Sequence, residues 1–181
     1  MMNSHDHDQT VRRYRGKRFY LRAKFISLTL LAGCSPSQSV DLRQATARDL
    51  QTVVAGHKGQ EAVLLNFWST GCGPCVVEFP MIVELGNLNR EKGLAIYFVN
   101  VDWVKRSEIV RSFLDRQGVV GLSFIKNETD TPFINGISPE WSGALPFTIT
   151  YGRKSGEPVD YWEDSASRER FETAIAMALA H

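Results

Sequence analysis

The residues with the greatest chemical reach in this chain are Cys72 and Cys75, in the stretch WSTGCGPCVVEFP. Two cysteines separated by two residues can serve as a redox pair, as half of a metal site, or as a structural staple. A disulfide across so short a separation closes too small a loop to add much stability. A metal site needs a second pair or histidines at ligand spacing, whereas His57 and His181 are scattered. A redox pair needs a thiolate, and the start of a helix provides for one. Unpaired backbone N–H groups and the helix macrodipole both favour negative charge there. In that position a cysteine pKa falls from about 8.5 to between about 3.5 and 7.5. Cys72 then becomes the nucleophile, and Cys75, one turn on, faces the same side within bonding reach.

Such a pair needs a strand to deliver it and a helix to receive it. AVLLNFW, just upstream, is a continuous apolar run of the kind that forms a strand buried on both faces. CVVEFPMIVELGNLNREKG reads as the helix; Pro74 suits its first turn, and Pro80 predicts a kink. LAIYFVNVD is a second buried strand. Thr46 with Asp49 three residues on makes a capping-box start for a short helix with Leu50, Val53 and Val54 on one face. SEIVRSFLDRQG predicts another helix, with Ile109, Phe113 and Leu114 inward and Gly118 as its stop. Val119 to Ala144 is turn-rich and reads as an irregular connection with at most a short strand near Ser123–Ile125. PFTITY and VDYWED flank GRKSGEP as a hairpin. SRERFETAIAMALAH closes the chain as a helix with Phe171, Ile175, Met177 and Leu179 mostly inward. The order predicts an α/β fold: a central mixed sheet, parallel in its first half, with helices on both faces.

The chain has 181 residues, 43% hydrophobic and 23% charged, which suits one domain with appendages. A net charge of +1 points to no nucleic-acid partner. Basic residues crowd Arg12 to Lys24, and the apolar run FISLTLLAG follows. That run is too short to span a bilayer, which takes about 20 residues. Basic, then apolar, then small residues compose a secretory signal. LAGC, Leu31 to Cys34, resembles the bacterial lipobox, which implies removal of residues 1–33 and lipidation of Cys34. The 24 residues before the apolar run are long for a signal of this kind. HDHD, His5 to Asp8, falls in the part expected to be removed. SPSQSVDLRQ is polar and aperiodic, a tether. The resulting division is 1–33 signal peptide, 34–45 lipidated tether, and 46–181 folded domain. The expected location is the bacterial cell envelope, lipid-anchored and facing the periplasm; Ser35, by resemblance to Gram-negative lipoproteins, leans toward the outer membrane. With Cys34 assigned to lipid, Cys72 and Cys75 remain as a pair in an oxidising compartment.

AVLLNFWSTGCGPCVVEFP resembles the thioredoxin fold, and within it the TlpA/ResA-like membrane-tethered thiol–disulfide oxidoreductases. The likeness runs from about Thr46 to the end and is strongest over Val63–Pro80. GALPFTIT is its second anchor. There the resemblance implies a cis Leu145–Pro146 bond facing the cysteine pair, with the Leu145 backbone pairing to a substrate chain. Trp68 and Gly71 complete the expected substrate contacts. Asn66 stands where thioredoxin has a buried aspartate that helps deprotonate the second cysteine. Glu78, on the helix face of Cys75, either takes that role or simply complements the helix dipole. Gly71 replaces the family's usual aromatic residue, and Trp141 either walls the groove or fills core. The resemblance implies disulfide exchange with secreted or periplasmic proteins, in the reductive direction, with cytochrome c maturation as one setting. It also implies a membrane electron donor, no cofactor and no metal. A metal- or haem-related binding module and a redox-idle structural lipoprotein are the alternatives.

Overall fold

The structure, a computed structural model, describes residues 39–181; the signal segment, HDHD, Ser35 and the lipobox with Cys34 lie outside the described residues. Among the described residues, six strands and five α-helices follow one another as β1 (Val40–Ala45), α1 (Ala47–His57), β2 (Ala62–Trp68), α2 (Gly73–Asn89), β3 (Leu94–Asn100), α3 (Ser107–Arg116), β4 (Gly121–Lys126), α4 (Asp130–Ile137), β5 (Phe147–Tyr151), β6 (Pro158–Glu163) and α5 (Arg168–Ala180). The sheet order is β1-β4-β3-β2-β5-β6. The first four in that order run parallel, and β5 is antiparallel to both of its neighbours, β2 and β6. This is the mixed sheet expected from the sequence.

Every residue of β2 is buried because helices cover both of its faces. Leu64 and Trp68 pack with Phe79 and Ile82 of α2, Val110 and Leu114 of α3, and Phe171 and Ile175 of α5. Val63, Leu65 and Phe67 point the other way, toward Leu50 and Val54 of α1 and Phe133 and Ile137 of α4. Aromatic stacking reinforces each side: Phe79 lies on Phe98 at 4.1 Å between ring centroids, and Trp141 on Phe147 at 4.8 Å. Trp141 is therefore core. The capping box at Thr46 and Asp49 forms as the sequence indicates. The helix α2 runs unbroken past Pro80.

Several expectations need correction. Val40–Ala45, read as the end of a tether, is an edge strand paired with β4, so the folded body begins before Thr46. One neighbour and one partly covered face suffice for it, which is why its composition is so polar. The turn-rich stretch after Val119 holds a full strand, β4, and a helix, α4. Pro132 sits in the first turn of α4, where its missing N–H costs nothing, and Phe133 and Ile137 bury one turn apart. In α3 the inward pair is Val110 and Leu114, while Ile109 is 53% exposed. On α5, Ala174 and Ala178 join Phe171 and Ile175 in the buried stripe, with Met177 and Leu179 at its margin.

Candidate functional site: a disulfide at a helix N-terminus

β2 ends at Trp68, a short loop follows, and Cys72 takes the N-cap position of α2. Cys72 and Cys75 form a disulfide with 5.3 Å between their Cα atoms. The Cys75 N–H donates to Cys72 Sγ at 3.3 Å. A serine oxygen at an N-cap receives the same bond; here sulfur occupies the place where partial positive charge collects. Pro74 has no N–H to offer, so the Cys75 N–H is the nearest helix donor after that of Gly73. The two sulfurs differ in setting. Cys72 is half-buried, whereas Cys75 is 1% exposed and belongs to the core.

Beside Cys75, Glu78 is itself only 6% exposed. Its Oε1 accepts from Asn66 Nδ2 at 3.4 Å and its Oε2 from the Ala166 N–H at 3.3 Å. Burial raises its pKa from 4.5 to about 7, with the Ala166 and Asn66 bonds pulling weakly the other way. Asn66 also donates to Thr148 Oγ1 at 3.1 Å, linking β2, α2 and β5. A carboxyl with its pKa raised to about 7, three residues along the helix from Cys75, can both hold and release a proton near neutral pH.

The Leu145–Pro146 bond is cis. Because Phe147 pairs with Phe67, this bond lies at the end of β2 from which the chain passes to Cys72. Leu145 and Cys72 pack against the same core cluster. The approach to Leu145 is tied down by Ser142, whose N–H and hydroxyl both donate to the Glu163 carboxylate, and by Trp141 Nε1 donating to the Ala144 carbonyl.

Trp68, expected among the substrate contacts, is 0% exposed and packs on Phe79 and Phe113 behind the cysteine pair. Gly71 is exposed, and a Cβ built there would meet no heavy atom within 4 Å. Its φ is not positive, so the backbone does not demand glycine. Four residues that sequence reasoning passed over also reach the site: Thr70, Asn100, Asp102 and Arg106 form a hydrogen-bonded group on the loop before Cys72. The Asp102 to Thr70 contact spans 32 positions, and no local pattern announces it. Among the described residues no group of three or more His, Cys, Asp or Glu gathers as a metal site. Nor is any helix there long and apolar enough to cross a membrane.

No protein-family model matches the chain. Over 67 residues it is 36% identical to the thiol-disulfide oxidoreductase ResA of Oceanobacillus iheyensis, covering 37% of this chain and 34% of that protein. Over 89 residues it is 34% identical to ResA of Halalkalibacterium halodurans, covering 49% of this chain and 47% of that one. The matches thus span about a third to a half of these relatives' length. Among solved structures, a thiol:disulfide interchange protein of the thioredoxin family from Chlorobium tepidum TLS superposes with a TM-score of 0.57 at 22% identity, over 69% of this chain and 83% of that one. The thioredoxin domain of a thiol-disulfide oxidoreductase from Bacteroides vulgatus gives 0.53 at 20% identity, over 67% and 83%. The chain has a thioredoxin-like fold and, over part of its length, is similar in sequence to thiol–disulfide oxidoreductases of the ResA type.

Proposed function

We propose that this chain is a thiol–disulfide oxidoreductase that exchanges disulfides with proteins of the bacterial cell envelope. The observation that carries the reading is the unequal pair: a half-buried Cys72 at the helix N-cap bonded to a buried Cys75 beside Glu78. In the reduced protein the Cys72 thiolate attacks one sulfur of a substrate disulfide. The substrate S–S bond breaks, one substrate thiolate leaves, and a mixed disulfide forms. Cys75 then gives its proton to the Glu78 carboxylate and attacks Cys72 Sγ. The second substrate thiolate leaves, and the Cys72–Cys75 bond is restored. Two electrons have passed from the protein dithiol to the substrate, whose thiolates take up protons. Run backwards, the same steps oxidise a dithiol.

The Gly-Pro dipeptide between the cysteines favours the reductive direction, as the family resemblance implies. A reductase then needs an external dithiol to recharge it, and an envelope location makes a membrane-borne donor the natural source. In this reading Leu145 and Pro146 seat the substrate chain, and Cys34 carries the lipid that holds the domain at the membrane. Disulfide-containing secreted proteins, apocytochrome c among them, are the substrate class.

The test is Cys75→Ser in the native host, followed by mass spectrometry of trapped mixed disulfides. Partners linked through Cys72, and lost in a Cys72→Ser control, are the expected result. Recovering none, together with no reduction of insulin and a Cys72 pKa near 8.5, would leave the pair a redox-idle staple. Metal bound stoichiometrically and lost on Cys→Ser would point to a binding module instead. Mass analysis of the mature N-terminus tests the lipid on Cys34 separately.

A further inference from the structure

Cys72 stands between Gly71 and Gly73, and a Cβ added at either glycine would meet nothing within 4 Å. The two glycines themselves therefore contribute no side-chain packing on either flank of Cys72. Glycine also gives the backbone its greatest freedom there. Yet the N-cap geometry that stabilises a thiolate requires this loop to stay in one conformation. Something else has to restrain it.

The restraint comes from the far end of β3. Asp102 Oδ2 accepts from the Thr70 N–H at 2.9 Å and from the Thr70 hydroxyl at 2.8 Å. Asn100, 0% exposed, holds that carboxylate in place: its Nδ2 donates to Oδ2 at 3.2 Å, and its Oδ1 accepts the Asp102 N–H at 2.9 Å. Arg106 closes the group from outside, donating from Nη2 to Thr70 Oγ1 at 2.9 Å. Two backbone bonds continue the seam, from the Val101 N–H to the Trp68 carbonyl at 2.9 Å and from the Cys72 N–H to the Ser69 carbonyl at 3.1 Å. Thr70 is thus fastened from both sides two residues ahead of Cys72. Hydrogen bonds to a charged acceptor are the strong ones, which suits a clamp made of few contacts.

We infer that Asp102 is a positioning residue for Cys72: through Thr70 it fixes the glycine-flanked loop so that Cys72 Sγ stays at the helix N-cap. The inference rests on Cys72 being the attacking sulfur, but its test does not require a protein substrate. In the reduced full chain, the rate of Cys72 alkylation by iodoacetamide is followed across a pH series, with Cys75→Ser as background. Asp102→Ala is expected to slow alkylation at neutral pH about tenfold and to move the profile to higher pH, since small misplacements of a reacting group cost factors of this order. Asp102→Asn, which keeps an oxygen to accept from Thr70, is expected to recover most of the rate. Adding Gly71→Ala to Asp102→Ala is expected to recover part of it, because the open space admits a methyl group that stiffens the backbone. An unchanged alkylation profile in Asp102→Ala, with only a lower Tm, would overturn the inference and leave Asp102 a structural tie. Failure of insulin reduction by the wild type would instead count against the proposed function and leave this result standing.

Discussion

The two sulfurs of one disulfide occupy different media. Around Cys72 the chain is open: two glycines, no packing on either, and a loop held by a few hydrogen bonds from the segment that follows β3. Around Cys75 the chain is closed: Phe79 and Trp68 at 0% exposure, and a buried carboxyl with two long hydrogen bonds. Only two residues, Gly73 and Pro74, separate these settings. In the proposed exchange, the open side is where a partner's disulfide would arrive, with Cys72 at the dipole's positive end. On the closed side, the proposed exchange would have Cys75 give its proton to Glu78, the buried carboxyl three residues along the helix. Directional exchange needs both, because two equally exposed thiols would compete for the incoming disulfide.

The comparison can be broken most severely at the sulfurs. Cys72→Ser is expected to abolish disulfide exchange, while Cys75→Ser still attacks and accumulates mixed disulfide; non-reducing gels with a small disulfide substrate separate the two. Next in size is the packing of the closed side. Phe79→Ala removes a ring stacked on Phe98 and touching Trp68, with an expected loss of about 3–5 kcal/mol by chemical denaturation.

Glu78 sharpens the contrast through pH. Its folded-state pKa of about 7 lies above the 4.5 of an exposed carboxyl. Below pH 4.5 both folded and unfolded states hold the proton and no penalty applies. As pH rises toward 7 the unfolded state ionises first, so stability falls across this window and the penalty is complete above it. Glu78→Gln is therefore expected to be more stable than the wild type above neutrality by about 1–2 kcal/mol, with the gap closing in acid. The same variant is expected to resolve mixed disulfides more slowly, with the inflection near neutrality gone; quenched-flow trapping measures this. The smallest effect belongs to the open side: Gly71→Ala is expected to change stability by less than about 0.5 kcal/mol, because nothing lies where its methyl group would go.

What sequence could reveal followed from the range of each interaction. The strand at Ala62–Trp68, the cap at Thr46 and Asp49, and the helix after Cys72 each depend on residues a few positions apart. β1 and α4 escaped because their signals are short. The edge strand is polar on its open face, and the pair Phe133 and Ile137 stands among turn-forming residues. Ile109 and Val110 are adjacent and equally apolar, and only the packing of α3 on the sheet chose Val110.

The sequence by itself determined that two cysteines meet at a strand-to-helix junction, since periodicity and cap chemistry are local. It also placed Glu78 on the face of Cys75. Tertiary structure alone decided what those residues became. Glu78 titrates near neutrality because strands and helices from elsewhere in the chain remove water from it, with Asn66 and the Ala166 N–H as its remaining partners. The loop before Cys72 is tied by the Asp102 carboxylate, 32 positions past Thr70, which accepts from the Thr70 N–H and hydroxyl. Dehydration and long-range hydrogen bonds belong to the assembled core, so no reading of nearby residues contains them.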